Sequence, residues 1–279
     1  MNMELNDPLG LTAVAGTEHG DRIGDVIFVH GLGGGSQTTW AAGADPTKFL
    51  PAWFAREFPR LGFWTLGYGT AISSWKERTM PLADLGNQVL EELHVEGIGI
   101  RPIIFITHSM GGLVTKQLLS HAKSQGVARW EKIAENTEGI AFLATPHSGA
   151  NLANFAEFAS IVLNTSEQVA ELRQHSARLR ELHGAFLSFV NRHRIVCRTF
   201  AERREVKPGV RVFKWNIRVP KGILVVDETS AEPNIPGERA IPLDEDHLSI
   251  CKPSYEGARI CKYLRSFLKE CIGRITFPH

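Results

Sequence analysis

Apolar and polar residues follow two patterns that alternate along the chain. Short continuous apolar runs, bounded by turn residues, are typical of strands buried on both faces of a sheet. Such runs lie at 25–30, 63–69, 103–107, 139–145, 194–200, 222–226 and 239–243. Between them, apolar residues recur at helical spacing, at 46–60, 82–93, 113–124 and 260–268. Strands that alternate with helices predict an α/β fold, with a mainly parallel sheet and helices on both faces.

We expect residues 1–279 to form a single domain. Three stretches within it depart from the alternation of strands and helices. Residues 1–22 are polar and contain glycine, so we expect a loose lead-in. Residues 150–193 predict a helical insert, which is either a cap over a site or an ordinary helix that covers the sheet. Its apolar positions at helical spacing are Val169, Leu172, Leu179, Leu182 and Phe186. Residues 203–221 are basic and predict an irregular excursion or a hairpin.

The run at 103–107 leads into the most specific motif of the chain, Thr107-His108-Ser109-Met110-Gly111. A serine on a sharp turn between a strand and a helix is typical of a nucleophile elbow. The usual motif is Gly-x-Ser-x-Gly, and Thr107 stands here at the position of the first glycine. We expect the turn to lift Ser109 above the sheet edge, where a histidine can remove its hydroxyl proton.

Two backbone N–H groups are candidates for stabilising an oxyanion. Met110 begins the helix after the elbow, and the first N–H groups of a helix have no partner within it. The strand at 25–30 runs into the glycine-rich stretch 31–35, which matches the His-Gly-x-Gly-Gly loop of lipases and esterases. The Leu32 N–H is therefore the second expected donor, and we expect His30 to be structural.

The catalytic histidine and its acid have to follow the serine along the chain in this arrangement. His247 follows the last short strand, and we assign it as the general base and acid. The acidic partner must hold the neutral imidazole in one tautomer and stabilise the imidazolium that forms. Glu202 comes just past the strand at 194–200, and Asp227 comes past the next apolar stretch, so both are candidates.

Composition narrows the remaining possibilities. The 31 basic and 30 acidic side chains leave a formal net charge of +1, so no overall field favours nucleic acid. No apolar run approaches the ~20 residues that span a bilayer, and the first residues lack the features of a signal peptide. We therefore expect a soluble, cytoplasmic chain. The 4 cysteines include no Cys-x-x-Cys pair, and we expect neither a metal site nor a cofactor.

Five segments together resemble a known family. They are 30–34, 107–114, 142–149, 225–226 with 230–231, and 246–253, and they look like the serine-active-site-containing lipase-like family. That family is related to the glycosylphosphatidylinositol inositol-deacylase group of α/β-hydrolases, so the resemblance implies the α/β-hydrolase fold and hydrolysis of lipid or phospholipid acyl esters. Members carry a glutamate where Glu202 stands and often a proline in the place of Asp227. The resemblance therefore favours Glu202 as the acid.

The sequence thus predicts a cofactor-independent serine hydrolase with Ser109, His247 and Glu202 as its triad. Its expected substrate is a lipid or small ester, with transient contact to a membrane surface. A catalytically silent domain that binds a lipid or a partner is the alternative, and acyl transfer to an alcohol other than water would use the same residues. The resemblance also implies that related domains occur as effector parts of longer signalling or defence proteins.

Overall fold

The computed structural model describes residues 5–69, 81–147, 152–163, 176–212 and 217–277. Its strands are β1 (Gly10–Ala15), β2 (Gly24–Val29), β3 (Leu61–Gly67), β4 (Ile103–His108), β5 (Thr137–Leu143), β6 (Val196–Glu202), β7 (Arg211–Val212), β8 (Ile217–Arg218) and β9 (Ala240–Leu243). Its α-helices are α1 (Leu50–Glu57), α2 (Pro81–Val95), α3 (Met110–Ser124), α4 (Ala128–Glu135), α5 (Leu152–Leu163), α6 (Ser176–His193), α7 (Glu228–Ala231) and α8 (Arg259–Thr276).

Seven strands form one sheet in the order β1-β3-β2-β4-β5-β6-β9. Neighbouring strands are parallel except for β1, which runs antiparallel to β3 at the edge. Strands β2, β3 and β4 are buried along their whole length, which explains why their sequences are continuous apolar runs. The predicted α/β class and the mainly parallel sheet are confirmed.

The core lies in two layers, one on each face of the sheet. Successive side chains of a strand point to opposite faces, so Ile27 belongs to one layer and Val26 and Phe28 belong to the other. Side chains of α2, α3, α4, α5 and α6 join the first layer, and those of α1 and α8 join the second. Helices therefore cover both faces, as the alternating pattern predicts.

The expectation of a loose lead-in at 1–22 is wrong for residues 10–15. These residues form β1, in which Gly10 pairs with Gly67 and Leu11 pairs with Leu66. The strand lies at the edge of the sheet and its residues are only partly buried or exposed. An edge strand of this kind does not need the continuous apolar run by which central strands are recognised.

The apolar pattern at 222–226 predicted a strand of the sheet, but these residues do not form one. Ile223 forms an isolated bridge with Val206, and the backbone N–H groups of Val225 and Val226 point to the side chain of Glu202. A buried loop and a buried strand give the same apolar run, so periodicity alone does not separate them.

The two described helices of the 150–193 insert lie in different places, and its role as a cap stays a prediction. Helix α6 packs against α3 and the sheet, where the ring of Phe186 meets the ring of Phe142 at 5.7 Å. Helix α5 instead reaches the loops at the carboxyl ends of the strands, where Phe158 contacts His247. Val169 and Leu172 lie outside the described residues. In the 203–221 stretch, β7 and β8 pair antiparallel as a hairpin, whose tip also lies outside them.

Among the helices of the described residues, none combines the length and the hydropathy that a membrane crossing requires.

Candidate active site

Ser109 stands on the turn between β4 and α3 with φ 54° and ψ −125°. A positive φ is uncommon for a residue that has a side chain. Two hydrogen bonds hold the turn, from Ser109 N to Leu143 O at 2.8 Å and from Thr145 Oγ1 to Ser109 O at 3.0 Å. A Cβ on Gly111 would collide with backbone carbonyl oxygens at the end of β2, so glycine is required there.

Ser109, His247 and Glu202 form a continuous chain of hydrogen bonds. His247 Nε2 lies 2.8 Å from Ser109 Oγ, and His247 Nδ1 lies 2.6 Å from Glu202 Oε2. The other carboxyl oxygen, Glu202 Oε1, accepts hydrogen bonds from the N–H groups of Val225 at 2.7 Å and Val226 at 2.9 Å. A carboxylate at Nδ1 keeps the ring proton on that nitrogen, so Nε2 can accept a proton from the serine.

Of the two candidate acids, Glu202 contacts His247. Glu202 ends β6 and pairs in the sheet with Leu243, the last residue of β9, so its strand end adjoins the strand that leads to His247. Asp227 lies at the N-cap of the short helix α7, where its Oδ1 accepts a hydrogen bond from Ser230 N at 2.7 Å. An N-cap aspartate satisfies a helix N–H group, which is a structural use of the side chain.

The loop after β2 lies against the elbow. A Cβ on Gly31 would be only 2.7 Å from Ser109 Cβ, which shows how closely the two backbones approach. Leu32 follows in this loop and is buried, and Met110 is the first residue of α3. Leu32 directly follows Gly31, and Met110 directly follows Ser109. Both residues whose N–H groups are the predicted oxyanion donors therefore lie next to this close contact. His30 stacks on Tyr68 with ring centroids 4.3 Å apart, in the structural role expected for it.

The hydrogen-bond chain is closed off from solvent. Relative exposures are 2% for Ser109, 0% for His247 and 1% for Glu202. Phe158 of α5 presents its ring to His247 at a centroid distance of 5.2 Å and an interplanar angle of 68°.

A second buried cluster lies further along α3 and was not expected from the sequence. Lys116 Nζ is 2.9 Å from His147 Nδ1 and 3.1 Å from His183 Nδ1, and it lies over the rings of Phe142 and Phe186. We call Lys116, His147 and His183 the lysine cluster. Helical spacing places Lys116 on the polar side of α3, but its exposure is only 1% because α6 covers it.

Burial determines the ionisation of the lysine cluster. It lowers the pKa of Lys116 to about 7 and the pKa of His183 to about 4. Burial also holds the pKa of His147 well below its usual range, and the nearby Lys116 lowers it further. Both imidazoles are therefore neutral near pH 7, as acceptors of hydrogen bonds from the lysine must be.

His108, the residue before Ser109, also contacts the candidate site, and the motif does not identify it. Its Nε2 lies 2.7 Å from the backbone carbonyl oxygen of His247, and the two rings are 5.0 Å apart. Burial, with a contribution from His247, holds the pKa of His108 well below its usual range. The motif leaves this position unspecified, so nothing in the sequence predicts the contact.

Comparisons with known proteins agree on the family and the fold. A family model described as the alpha/beta hydrolase family matches residues 26–236. Protein SERAC1 of Bos taurus is 30% identical over 269 residues, 90% of this chain and 39% of that protein. Protein SERAC1 of Danio rerio is 32% identical over 271 residues, 89% of this chain and 39% of that protein. The chain thus spans 39% of the length of these relatives.

Solved structures share the architecture at low sequence identity. A lipase-esterase related protein from Clostridium acetobutylicum ATCC 824 aligns with a TM-score of 0.51 at 13% identity. The alignment covers 93% of this chain and 99% of that one, so the likeness extends over the whole fold.

Proposed function

Because the chain belongs to the alpha/beta hydrolase family, we propose that it is a serine hydrolase that cleaves carboxylic esters through an acyl-enzyme intermediate. The observation that carries the proposal is the hydrogen-bond chain from Ser109 through His247 to Glu202. A base within hydrogen-bond reach of a hydroxyl, itself oriented by a third group, is the arrangement that activates a serine.

The first step of the proposed reaction forms the acyl-enzyme. Ser109 Oγ attacks the ester carbonyl carbon while His247 Nε2 accepts the hydroxyl proton. Glu202 stabilises the resulting imidazolium through the proton on Nδ1. His247 then gives the proton at Nε2 to the leaving alkoxide, so the alcohol departs and the acyl group remains on Ser109.

The second step releases the acid. Water attacks the acyl carbonyl carbon, and His247 removes its proton and returns it to Ser109 Oγ. In both steps the carbonyl oxygen becomes negatively charged, and we assign the N–H groups of Leu32 and Met110 as its hydrogen-bond donors. Donors fixed in advance by a helix N-terminus and a tight loop stabilise this charge without reorganisation.

Lipid or phospholipid acyl esters are the proposed substrate class. Helix α5, which covers the site, is rich in apolar side chains, and Phe155, Phe158 and Val162 are buried on it. An acyl chain that displaced or slid beneath this helix would exchange water for apolar contacts. The name of the aligned lipase-esterase related protein supports the same class. A cytoplasmic location, contact with a membrane surface and a place within a longer protein stay predictions.

A catalytically silent binding domain is the second candidate function. The alignment of Ser109, His247 and Glu202 argues against it, because a buried polar chain kept in reactive geometry gives a binding domain no evident benefit. Acyl transfer to another alcohol differs only in the molecule that attacks the acyl-enzyme, and product analysis in the presence of a competing alcohol distinguishes it from hydrolysis.

The test uses a fluorophosphonate probe together with a panel of acyl esters. We expect the probe to modify Ser109, located by mass spectrometry of the labelled peptide, and we expect the protein to hydrolyse esters of the panel. Ser109→Ala is the control, since it removes only the hydroxyl oxygen. A folded wild-type protein that neither reacts with the probe nor hydrolyses any ester would favour the silent binding domain.

A further inference from the structure

His108 occupies a junction between three segments that meet at the proposed active site. It is the last residue of β4 and directly precedes Ser109. Its Nε2 contacts the backbone carbonyl oxygen of His247 at 2.7 Å. On its other side, a Cβ on Gly31 would lie 3.0 Å from His108 Nδ1, so the ring also faces the glycine-rich loop after β2. His108 thus belongs to the elbow, contacts the loop that carries His247 and faces the loop after β2.

The contacts of His108 indicate which of its two ring nitrogens carries the proton. A carbonyl oxygen can only accept a hydrogen bond, so His108 Nε2 must carry a proton. His108 Nδ1 is buried and has no hydrogen-bond partner among the described residues, so a proton there would be unsatisfied. The neutral Nε2–H tautomer fits both facts. It also avoids a second imidazolium beside His247, which becomes positively charged during the proposed reaction.

The bond from His108 acts on the backbone of the general base. Glu202 fixes the imidazole of His247 at Nδ1. Hydrogen bonds to Glu245 O and to Asp246 Oδ1 hold the loop main chain on either side of His247 to β6 and to the loop itself, but not to the elbow. The Nε2–H of His108 holds that main chain from a residue covalently joined to Ser109. Glu202 thus holds the ring of His247 and His108 holds its backbone. Together they fix the 2.8 Å separation of Ser109 Oγ and His247 Nε2.

We propose that His108 is a positioning residue of the hydrolase, which holds the His247 backbone in register with Ser109 through its neutral Nε2–H group. The inference rests on the proposed serine-hydrolase function and extends it to a residue that touches neither substrate nor reacting atoms. Displacement of a reacting group by about 1 Å costs on the order of 10²-fold in rate. Loss of this bond should accordingly lower kcat rather than raise KM.

Three substitutions separate positioning from packing. His108→Leu removes the donor and keeps an apolar side chain, while His108→Gln keeps an N–H donor near the place of Nε2. His108→Asn is polar but too short to reach the His247 carbonyl. The matched control is Thr137→Val, which removes another buried hydrogen bond to a backbone carbonyl, from Thr137 Oγ1 to Ile133 O at 2.8 Å, at the opposite end of the sheet.

We expect His108→Leu and His108→Asn to lower kcat by about 10-fold to 100-fold with KM nearly unchanged, and to slow fluorophosphonate labelling of Ser109 in parallel. His108→Gln should recover most of the rate, and Thr137→Val should lose stability without losing activity. Folding of each variant is checked by circular dichroism and thermal melting. If His108→Leu fails to fold, the comparison of His108→Asn with His108→Gln decides the matter.

The outcomes separate this inference from the proposed function. If the wild-type protein hydrolyses esters and folded His108→Leu or His108→Asn has the same kcat, the role of His108 alone is overturned. Equal losses of kcat in His108→Gln, His108→Asn and His108→Leu would make His108 a packing residue and would also overturn the proposal. A wild-type protein without activity or labelling would remove the proposed function, and the positioning role with it.

Discussion

Two buried polar clusters lie beside the same helix, and only one has the arrangement of a catalytic site. Ser109, His247 and Glu202 meet at the start of α3, and Lys116 of the lysine cluster follows seven residues later, about 10 Å along the helix axis. Each cluster joins three segments of the chain through polar side chains, and each is almost completely buried. The clusters differ in the groups that they bring together.

The two clusters differ in the charges of their groups and in the direction of their hydrogen bonds. In the proposed triad, a carboxylate with two backbone N–H groups on its far oxygen orients an imidazole towards a hydroxyl. In the lysine cluster, a single amine donates to two imidazoles, and no carboxylate among the described residues bonds to it. The Nε2 atom of His147 has no hydrogen-bond partner among the described residues. This second arrangement fastens α6 to α3 through the bond from Lys116 to His183, and it contains no base held against a hydroxyl.

The largest effect is expected from removing the nucleophile or the base. Ser109→Ala and His247→Ala should each lower kcat by on the order of 10⁶-fold, the scale found when either member of a serine triad is removed. The double variant should be no worse than either single variant, because the two residues act as one unit. Steady-state kinetics with circular dichroism measures this, and losses that add in free energy would contradict a shared mechanism.

The acid should come next in size. In Glu202→Gln, the amide oxygen keeps the bonds from the 225–226 backbone while the NH₂ group faces His247 Nδ1. The imidazole proton is then driven to Nε2, so the base cannot accept a proton from Ser109, and kcat should fall by about 10⁴-fold. Asp227→Asn is the matched control, since asparagine caps a helix as well as aspartate does. A crippled Asp227→Asn beside a nearly normal Glu202→Gln would reverse the assignment.

A smaller effect is expected at the covering helix. Phe158→Ala removes the ring beside His247 and should shift relative kcat/KM towards longer acyl esters by about 10-fold, the scale of apolar pocket contacts. Phe186→Ala on α6 is the matched control, because this buried ring packs on Phe142 instead. Competition assays between short and long esters measure the shift. Identical chain-length preference in both folded variants would show that α5 does not line the acyl site.

The smallest effect should come from the lysine cluster, on stability rather than catalysis. The folded pKa of Lys116 is about 7 and its ordinary value is 10.5, so between these values the unfolded chain binds more protons. Stability then rises with pH across this window, as the cost of burying the charge disappears. From about pH 7 to about pH 9 the melting temperature of wild type should rise relative to Lys116→Met.

Lys123→Met provides the comparison for that experiment, because Lys123 is only partly buried on the same helix and pairs with Glu135 at 3.0 Å. Its melting curve should follow that of wild type at each pH. A pH dependence of stability that is the same in Lys116→Met and wild type would mean that Lys116 keeps an ordinary pKa in the folded protein.

The sequence predicted those parts of the molecule whose residues are determined by local geometry. The elbow needs small residues around Ser109, and the central strands need apolar side chains on both faces, so both leave clear patterns. The order along the chain then limited the candidates for base and acid. Glu202 and Asp227 could not be separated by position, because the choice depends on where the 222–226 loop turns, and its apolar run resembles a strand.

Other features leave no local pattern. Helix α4 has only eight residues, with Ile133 and Ala134 buried, which is too few for helical periodicity to stand out. Lys116 is buried only because α6 comes to lie on it, and His108 bonds to a backbone atom 139 positions away. Contacts of this kind are set by tertiary packing, and neither residue type nor spacing encodes them.

The backbone at Ser109 has a consequence for how this sequence can change over generations. Its φ of 54° is a conformation that glycine adopts readily and that costs other residues about 1–3 kcal/mol. In the proposed hydrolase, selection for turnover would therefore hold a serine where selection for stability alone prefers glycine. In a lineage that no longer depended on hydrolysis, Ser109→Gly would be a favoured replacement, which removes the proposed nucleophile and strengthens the fold at once. Loss of this activity would then be hard to reverse, because each return to serine begins from the more stable protein.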